Sequence, residues 1–171
     1  MNNRNIYIAL IIFGILFLAS ILLSSCYKFQ GASIPPDLET YSVGFFENKA
    51  PTVNPKLSQT ITEKLKDKMN NTRLNFTREN GDFNFNGTIT GYSINPVTVQ
   101  ENATATQNRL TITVNVKFEC IKHPELNFEQ SFSSFQDFDA TKNFSNLENN
   151  LVSDITDQLV QEIFNKAAVN W

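Results

Sequence analysis

The sequence predicts an α+β fold: a two-layer sandwich in which a four- to five-stranded, mostly antiparallel or mixed sheet carries two helices packed on one face. Three observations lead there. From Leu110 to Cys120 apolar and polar residues alternate without a break, the period of a strand with one dry and one wet face. Leu57, Ile61, Leu65 and Met69 recur at four-residue spacing, as do Leu147, Leu151, Ile155, Leu159 and Ile163, so each set marks a helix with one buried stripe. The elements come in the order β-α-β-β-β-α, and each has a single apolar face. Stacking both helices on one side of the sheet buries all of those faces together.

Each element has its own signals. Leu38 to Phe46 reads as a strand with Tyr41, Val43 and Phe45 on one face. Asn54 is the N-cap of the first helix and Pro55 its first helical residue; Asn70-Asn71 ends it. Thr72 to Arg78 is a short strand with Leu74 and Phe76 aligned, and Asn80-Gly81 is a turn. The helical crossover makes the first two strands parallel or near neighbours. Phe83, Phe85 and Ile89 lead through to Tyr92 in the next strand, where Gly87 and Gly91 predict a bulge or the close approach of a helix. Asn95 to Asn108 is a polar loop. After the Leu110–Cys120 strand, Lys122-His123-Pro124 turns the chain. Leu126, Phe128 and Phe132 then form an opposing strand with Asn127, Glu129, Ser131 and Ser133 outward. Ser145 and Glu148 make a capping box for the last helix, whose stripe Val152, Val160, Phe164 and Ala167 widen. The free sheet face is then rich in Thr, Ser and Asn.

Ahead of this domain lies a different kind of segment. Arg4 precedes an apolar run from Ile6 to Leu23, which stops at Leu23-Ser24-Ser25-Cys26. An aliphatic residue three before a cysteine, with small residues between, resembles the lipobox of bacterial lipoproteins. That resemblance implies cleavage before Cys26, a diacylglycerol on its thiol and a third acyl chain on the new amine. Residues 1–25 are then a signal peptide, 26–37 a lipid-anchored tether and 38–171 a single α+β domain. The alternative is an uncleaved membrane-spanning anchor; the small pair Ser24-Ser25 favours cleavage. Acyl chains hold a protein on a bilayer by about 0.8 kcal/mol per buried CH₂. Pro35-Pro36 keeps the tether extended, and about ten residues reach at most roughly 35 Å. Tyr27 stands where enteric bacteria use Asp for inner-membrane retention, so the expected location is the outer membrane, lipid-anchored on the periplasmic side.

Composition narrows the function. Without Arg4 the chain has 13 basic against 17 acidic residues, which argues against a nucleic-acid partner, since that needs a net basic face. Charged residues are 18%, below the roughly 25% of a typical soluble domain, so the polar surface leans on amides and hydroxyls. Acylation of Cys26 leaves Cys120 unpaired, and Cys120 lies on the apolar side of its strand as a small hydrophobe. The one histidine, His123, sits in a turn with no companion ligand, so no metal is expected. Neither a nucleophile elbow nor a phosphate loop is present, and the expectation is a protein that is not an enzyme and has no cofactor. Lys64 and Lys68 are one turn apart, and Arg73 and Arg78 follow in the next strand. Either these are a solvated face or they form a contact for an anionic lipid headgroup.

Read together, several stretches resemble the LptE family of lipopolysaccharide-assembly lipoproteins. They are Ser33-Ile34-Pro35-Pro36, Tyr41 to Pro51, Leu57 to Glu63, Gly87-Thr88-Ile89-Thr90-Gly91-Tyr92, Arg109 to Val116, Phe132-Ser133-Ser134-Phe135, Ile163-Phe164-Asn165-Lys166 and Trp171. The resemblance implies a small sheet with two helices on one side. It also implies a non-enzymatic partner of the LptD-like outer-membrane β-barrel that plugs it, assists its assembly and takes lipopolysaccharide as a direct ligand. It carries over no basic contact residue: Lys64, Lys68, Arg73 and Arg78 come from charge pattern alone. Two other functions fit the same architecture: an accessory or pilot lipoprotein of another secretion barrel, and a periplasmic lipoprotein that binds a lipid or small ligand.

Overall fold

The computed structural model of the chain describes residues 34–52, 54–97 and 107–168. The apolar run, Cys26 and most of the expected tether lie outside the described residues. Within them the elements are β1 (Thr40–Val43), β2 (Glu47–Asn48), α1 (Leu57–Asn70), β3 (Asn75–Phe76), β4 (Phe83–Val97), β5 (Gln107–Cys120), β6 (Phe128–Asp139) and α2 (Phe144–Ala168). The architecture is the expected α+β sandwich. The sheet runs β3-β1-β4-β5-β6, with β2 on the flank of β4. The two-residue strands β2 and β3 bring the count to six. β1 is parallel to β3 and to β4, while β4, β5 and β6 form an antiparallel meander.

Helix α1 forms where its stripe dictates. Leu57, Ile61, Leu65 and Met69 are fully buried, and the Asn54 carboxamide accepts hydrogen bonds from the N–H groups of Lys56 (2.9 Å) and Leu57 (3.1 Å). That is the expected cap, although regular helix begins only at Leu57. Helix α2 buries Leu151, Ile155, Leu159 and Ile163 together with Val152, Val160 and Ala167. Its expected capping box does not form. Asn143 caps instead, accepting from the Ser145 N–H at 2.9 Å. Glu148 turns away to a tertiary partner. Its Oε1 accepts from the Tyr92 hydroxyl (2.6 Å) and from the Asn54 amide (2.7 Å), joining β4 to the starts of both helices.

The core between sheet and helices is dominated by aromatic and β-branched side chains. Phe85, Phe118 and Phe128 stand opposite one another across β4, β5 and β6. The Phe118 ring centroid is 4.9 Å from Phe85 and 5.2 Å from Phe128, with Phe83 edge-on at 4.8 Å. All six apolar positions from Leu110 to Cys120 are buried, as the alternation requires.

The first strand departs from expectation. Tyr41 to Val43 pair with Phe83 to Phe85, but Glu47 and Asn48 pair with Thr88 and Ile89. Gly44, Phe45 and Phe46 thus oppose only Asn86 and Gly87. The extra residue makes a bulge that reverses the alternation. Phe45 turns to solvent, 65% exposed, and Phe46 enters the core. There the Phe46 ring lies on Gly87, where a Cβ would fall 2.1 Å from it. The close approach expected at Gly87 is therefore made by a ring rather than a helix. The expected bulge is also present, between Ile89 and Gly91, and it brings Tyr92 to the buried side.

The polar loop expected from Asn95 to Asn108 is shorter than that. Asn95, Pro96 and Val97 pair with Arg109, Asn108 and Gln107, so residues 98–106, outside the described set, connect the two strands. Pro96 is accommodated because beyond Ile89 the described part of β4 has a partner on one flank only.

Candidate functional site

The register places the polar members of β4, β5 and β6 on one face. Asn84, Asn86 and Thr88 face across to Glu119, Lys117 and Asn115, and the row continues through Thr113 and Thr111 to Ser131 and Ser133. Among the described residues no element covers this face. Most of its contacts are short and local: the Thr113 and Ser133 hydroxyls are 3.0 Å apart, and Lys117 pairs with Glu119 at 2.8 Å. One cluster differs. Arg109 holds Asp137 through two parallel hydrogen bonds of 2.7 and 2.9 Å. Its guanidinium lies 3.7 Å from the centre of the Phe135 ring, which is 46% exposed. Hydrogen bonding from Arg109 holds the Asp137 carboxyl below the usual carboxylate range. Charge pattern along the chain does not single out these three residues. The β5–β6 register finds them, because it brings Arg109 and Asp137 directly opposite.

The four cations chosen from charge pattern separate in space. Lys64 is committed to the helix pair: its Nζ meets Asp157 at 2.7 Å and donates to the Ser153 carbonyl (2.8 Å) and hydroxyl (2.9 Å). Lys68 donates to Gln161 at 2.7 Å and lies 5.1 Å above the Phe164 ring. These contacts advance together along both helices, so α1 and α2 run side by side in the same direction. Arg73 donates to the Leu38 carbonyl at 2.6 Å and also to the carbonyls of Ile34 and Pro35, fastening the segment that leads into β1. Lys68 and Arg73 line a common cleft of about 350 Å³ with Ile34 and Phe164. Lys64 shares a neighbouring cleft with Lys68 and Asp157. Arg78 lies across the sheet from the helices, in a cleft on the open face with Asn84 and Asn86.

A second polar cluster ties the entry segment to the β5–β6 turn. Asp82 accepts from the backbone N–H groups of Glu39 (2.8 Å) and Thr40 (3.0 Å) and pairs with Lys122 at 3.3 Å. The backbone N–H of Glu39 contributes most to holding its carboxyl below the usual range. His123 bridges two carboxylates, Asp37 at 3.0 Å and Glu125 at 3.1 Å. Both hydrogen bonds, Glu125 first, raise its pKa above the ordinary imidazole value. Among the described residues no group of His, Cys, Asp and Glu is arranged to hold a metal ion. Cys120 is buried and free, and burial pushes its thiol pKa up, which keeps it unreactive.

Comparison with known proteins places this geometry. No curated protein sequence matches the chain. Among solved structures, the minor lipoprotein from Acinetobacter baumannii superposes with a TM-score of 0.50 at 14% identity, covering 75% of this chain and 91% of that one. Lipoprotein B from Nitrosomonas europaea gives 0.53 at 14% identity, covering 80% and 85%. Rare lipoprotein B from Shewanella oneidensis gives 0.50 at 10% identity, covering 74% and 92%. At these identities the likeness is one of fold. The sequence itself matches the family model LptE, lipopolysaccharide assembly, over residues 38–167, and the chain belongs to that family.

Proposed function

We propose that this protein is anchored by acyl chains on Cys26 to the periplasmic side of the outer membrane. There it acts, without catalysis of its own, as the partner of an LptD-type β-barrel. It plugs the barrel, assists its assembly and so serves lipopolysaccharide transport to the cell surface. Membership of the LptE family is the observation that carries this reading. Two others support it. The sequence Leu23-Ser24-Ser25-Cys26 supplies the lipobox pattern. The uncovered sheet face offers hydroxyls, amides and mixed charge, a surface suited to a barrel interior, which is polar and wet. Lys68 and Arg73 are the cations assigned to an anionic headgroup, because they share a cleft with the apolar Ile34 and Phe164.

The test is a pull-down of the full-length, lipidated protein from outer membranes, with co-eluting proteins identified by mass spectrometry. A stoichiometric LptD-like barrel is the expected result. A different barrel, or no large partner, overturns the reading. Mass spectrometry of the membrane-bound protein should find a chain that begins at an acylated Cys26; a chain that still carries residues 1–25 would mean that an uncleaved apolar segment is the anchor.

A further inference from the structure

At the β1 end of the open sheet face lies a cleft of about 540 Å³, within the range of roughly 300–1,000 Å³ that small-molecule sites occupy. The bulge builds it. Gly44 stands where a Cβ would fall 2.6 Å from Asn86 Oδ1, so the missing side chain lets that carboxamide lie against the edge strand. Beside it the Asn84 carboxamide is fixed at both ends, its Nδ2 donating to the Gly81 carbonyl at 2.6 Å and its Oδ1 accepting from the Ser42 hydroxyl. Phe45, which the bulge turns outward, adds an exposed phenyl ring. Arg78 and Glu119 also line the cleft, and Glu119 is paired with Lys117. The side chains of Arg78 and Asn86 have no hydrogen-bond or ion-pair partner among the described residues.

This set of groups matches one ligand chemistry. The Asn86 carboxamide presents a donor and an acceptor side by side, and the Arg78 guanidinium presents a fork of donors. Adjacent hydroxyls on a pyranose ring, each able to donate and to accept, fit such pairs. The ring's C–H face is apolar and fits an exposed phenyl. Both signs of charge are present, which disfavours a phosphate-like anion, and the largely polar lining disfavours an acyl chain. We propose that this cleft binds a saccharide. The proposal stands on the cleft itself and does not require the barrel partner.

Two glycans of the bacterial envelope carry that chemistry: the oligosaccharide of lipopolysaccharide and the glycan strand of peptidoglycan. The experiment titrates ¹⁵N-labelled full-length protein, in a zwitterionic detergent with no sugar headgroup, separately with deacylated lipopolysaccharide oligosaccharide and with a soluble peptidoglycan disaccharide. Inorganic phosphate is the control. Saturable shifts of the Asn86 side-chain amide and the Gly44 N–H are expected with at least one glycan, and which glycan gives them identifies the source. Phe45→Ala and Asn86→Ala should each weaken binding about three- to ten-fold. Both residues are exposed, so thermal unfolding should be unchanged. The proposal fails if neither glycan shifts the cleft, if both variants bind as tightly as the wild type, or if phosphate alone reproduces the shifts.

Discussion

One hydroxyl joins the bulged edge strand to the first helix. Thr62 is buried; its Oγ1 accepts from the Phe46 N–H at 3.1 Å and donates to the Ser58 carbonyl at 2.7 Å. Thr62→Val keeps the volume and strands a buried donor, so it should cost about 1–3 kcal/mol in urea unfolding. A loss of only a few tenths would mean that the Phe46 N–H finds another acceptor. Glu148 is similar in kind but accepts two bonds on one oxygen. Burial first, and then the Glu148 carboxylate, hold the Tyr92 phenol well above its ordinary range. Glu148→Ala should cost about 2 kcal/mol, while Glu148→Gln, which keeps an acceptor, should recover more than half of that. His123 gives a pH signature. Its pKa is raised in the folded state by Glu125 and Asp37, so its stabilising contribution is fully present below about pH 6.5 and is lost as pH rises through the folded value. The difference in melting temperature between wild type and His123→Gln should therefore be largest near pH 5.5 and shrink above pH 8. A difference that grows with pH would assign the imidazole the opposite role.

Among the elements, those with a period were legible and those defined by a partner strand were not. Both helical stripes and the β5 alternation are local patterns, and burial follows them at every position but Leu147, which is only partly buried at the start of α2. The bulge at Gly44–Phe46 is set by which β4 residues pair on either side of it, information that no window on the first strand contains. The same blindness explains Glu148. Ser145-x-x-Glu148 satisfies the local capping pattern, but Tyr92, 56 residues away, is the partner that wins. The four cations illustrate a further limit. Spacing put Lys64 and Lys68 on adjacent turns, yet Lys64 is held by Asp157 and Ser153, while Lys68, held by Gln161, also lines the cleft that Arg73 and Phe164 share. The bulge makes a sharp prediction. With Phe46 ring atoms 2.1–2.4 Å from any Cβ at position 87, Gly87→Ala must displace a fully buried ring. It should destabilise by about 1–3 kcal/mol, more than Gly91→Ala, whose Cβ would meet the Thr113 side chain at 3.1 Å. Equal losses at the two glycines would show that the edge strand shifts freely and that the bulge does not fix Phe46.

At the scale of the whole molecule the question is which layer meets a partner. The helical layer ties its cations to neighbouring elements: Lys64, Lys68 and Arg73 each bond across to one, although Lys68 and Arg73 also line a cleft. The sheet layer spends most of its groups on short contacts within the same face, and no described element covers that face. At one end it presents Phe135 stacked by Arg109, with Asp137 locking the guanidinium in place. A pre-ordered Arg beside an exposed aromatic ring is the composition that dominates binding energy where proteins meet, and it gives up little side-chain entropy because its geometry is already held. Docking through the sheet face makes this pair the point of greatest loss. Phe135→Ser combined with Arg109→Ser should reduce recovery of the barrel about ten-fold or more in the pull-down. The melting temperature should fall only slightly, since both side chains are partly exposed. Asp154→Ala, on the exposed side of α2, should leave recovery unchanged. The reverse outcome, with the sheet variant recovering the barrel normally and the helix variant failing, would turn the molecule around: the helices would face the partner, and the polar sheet would face the route that lipopolysaccharide takes.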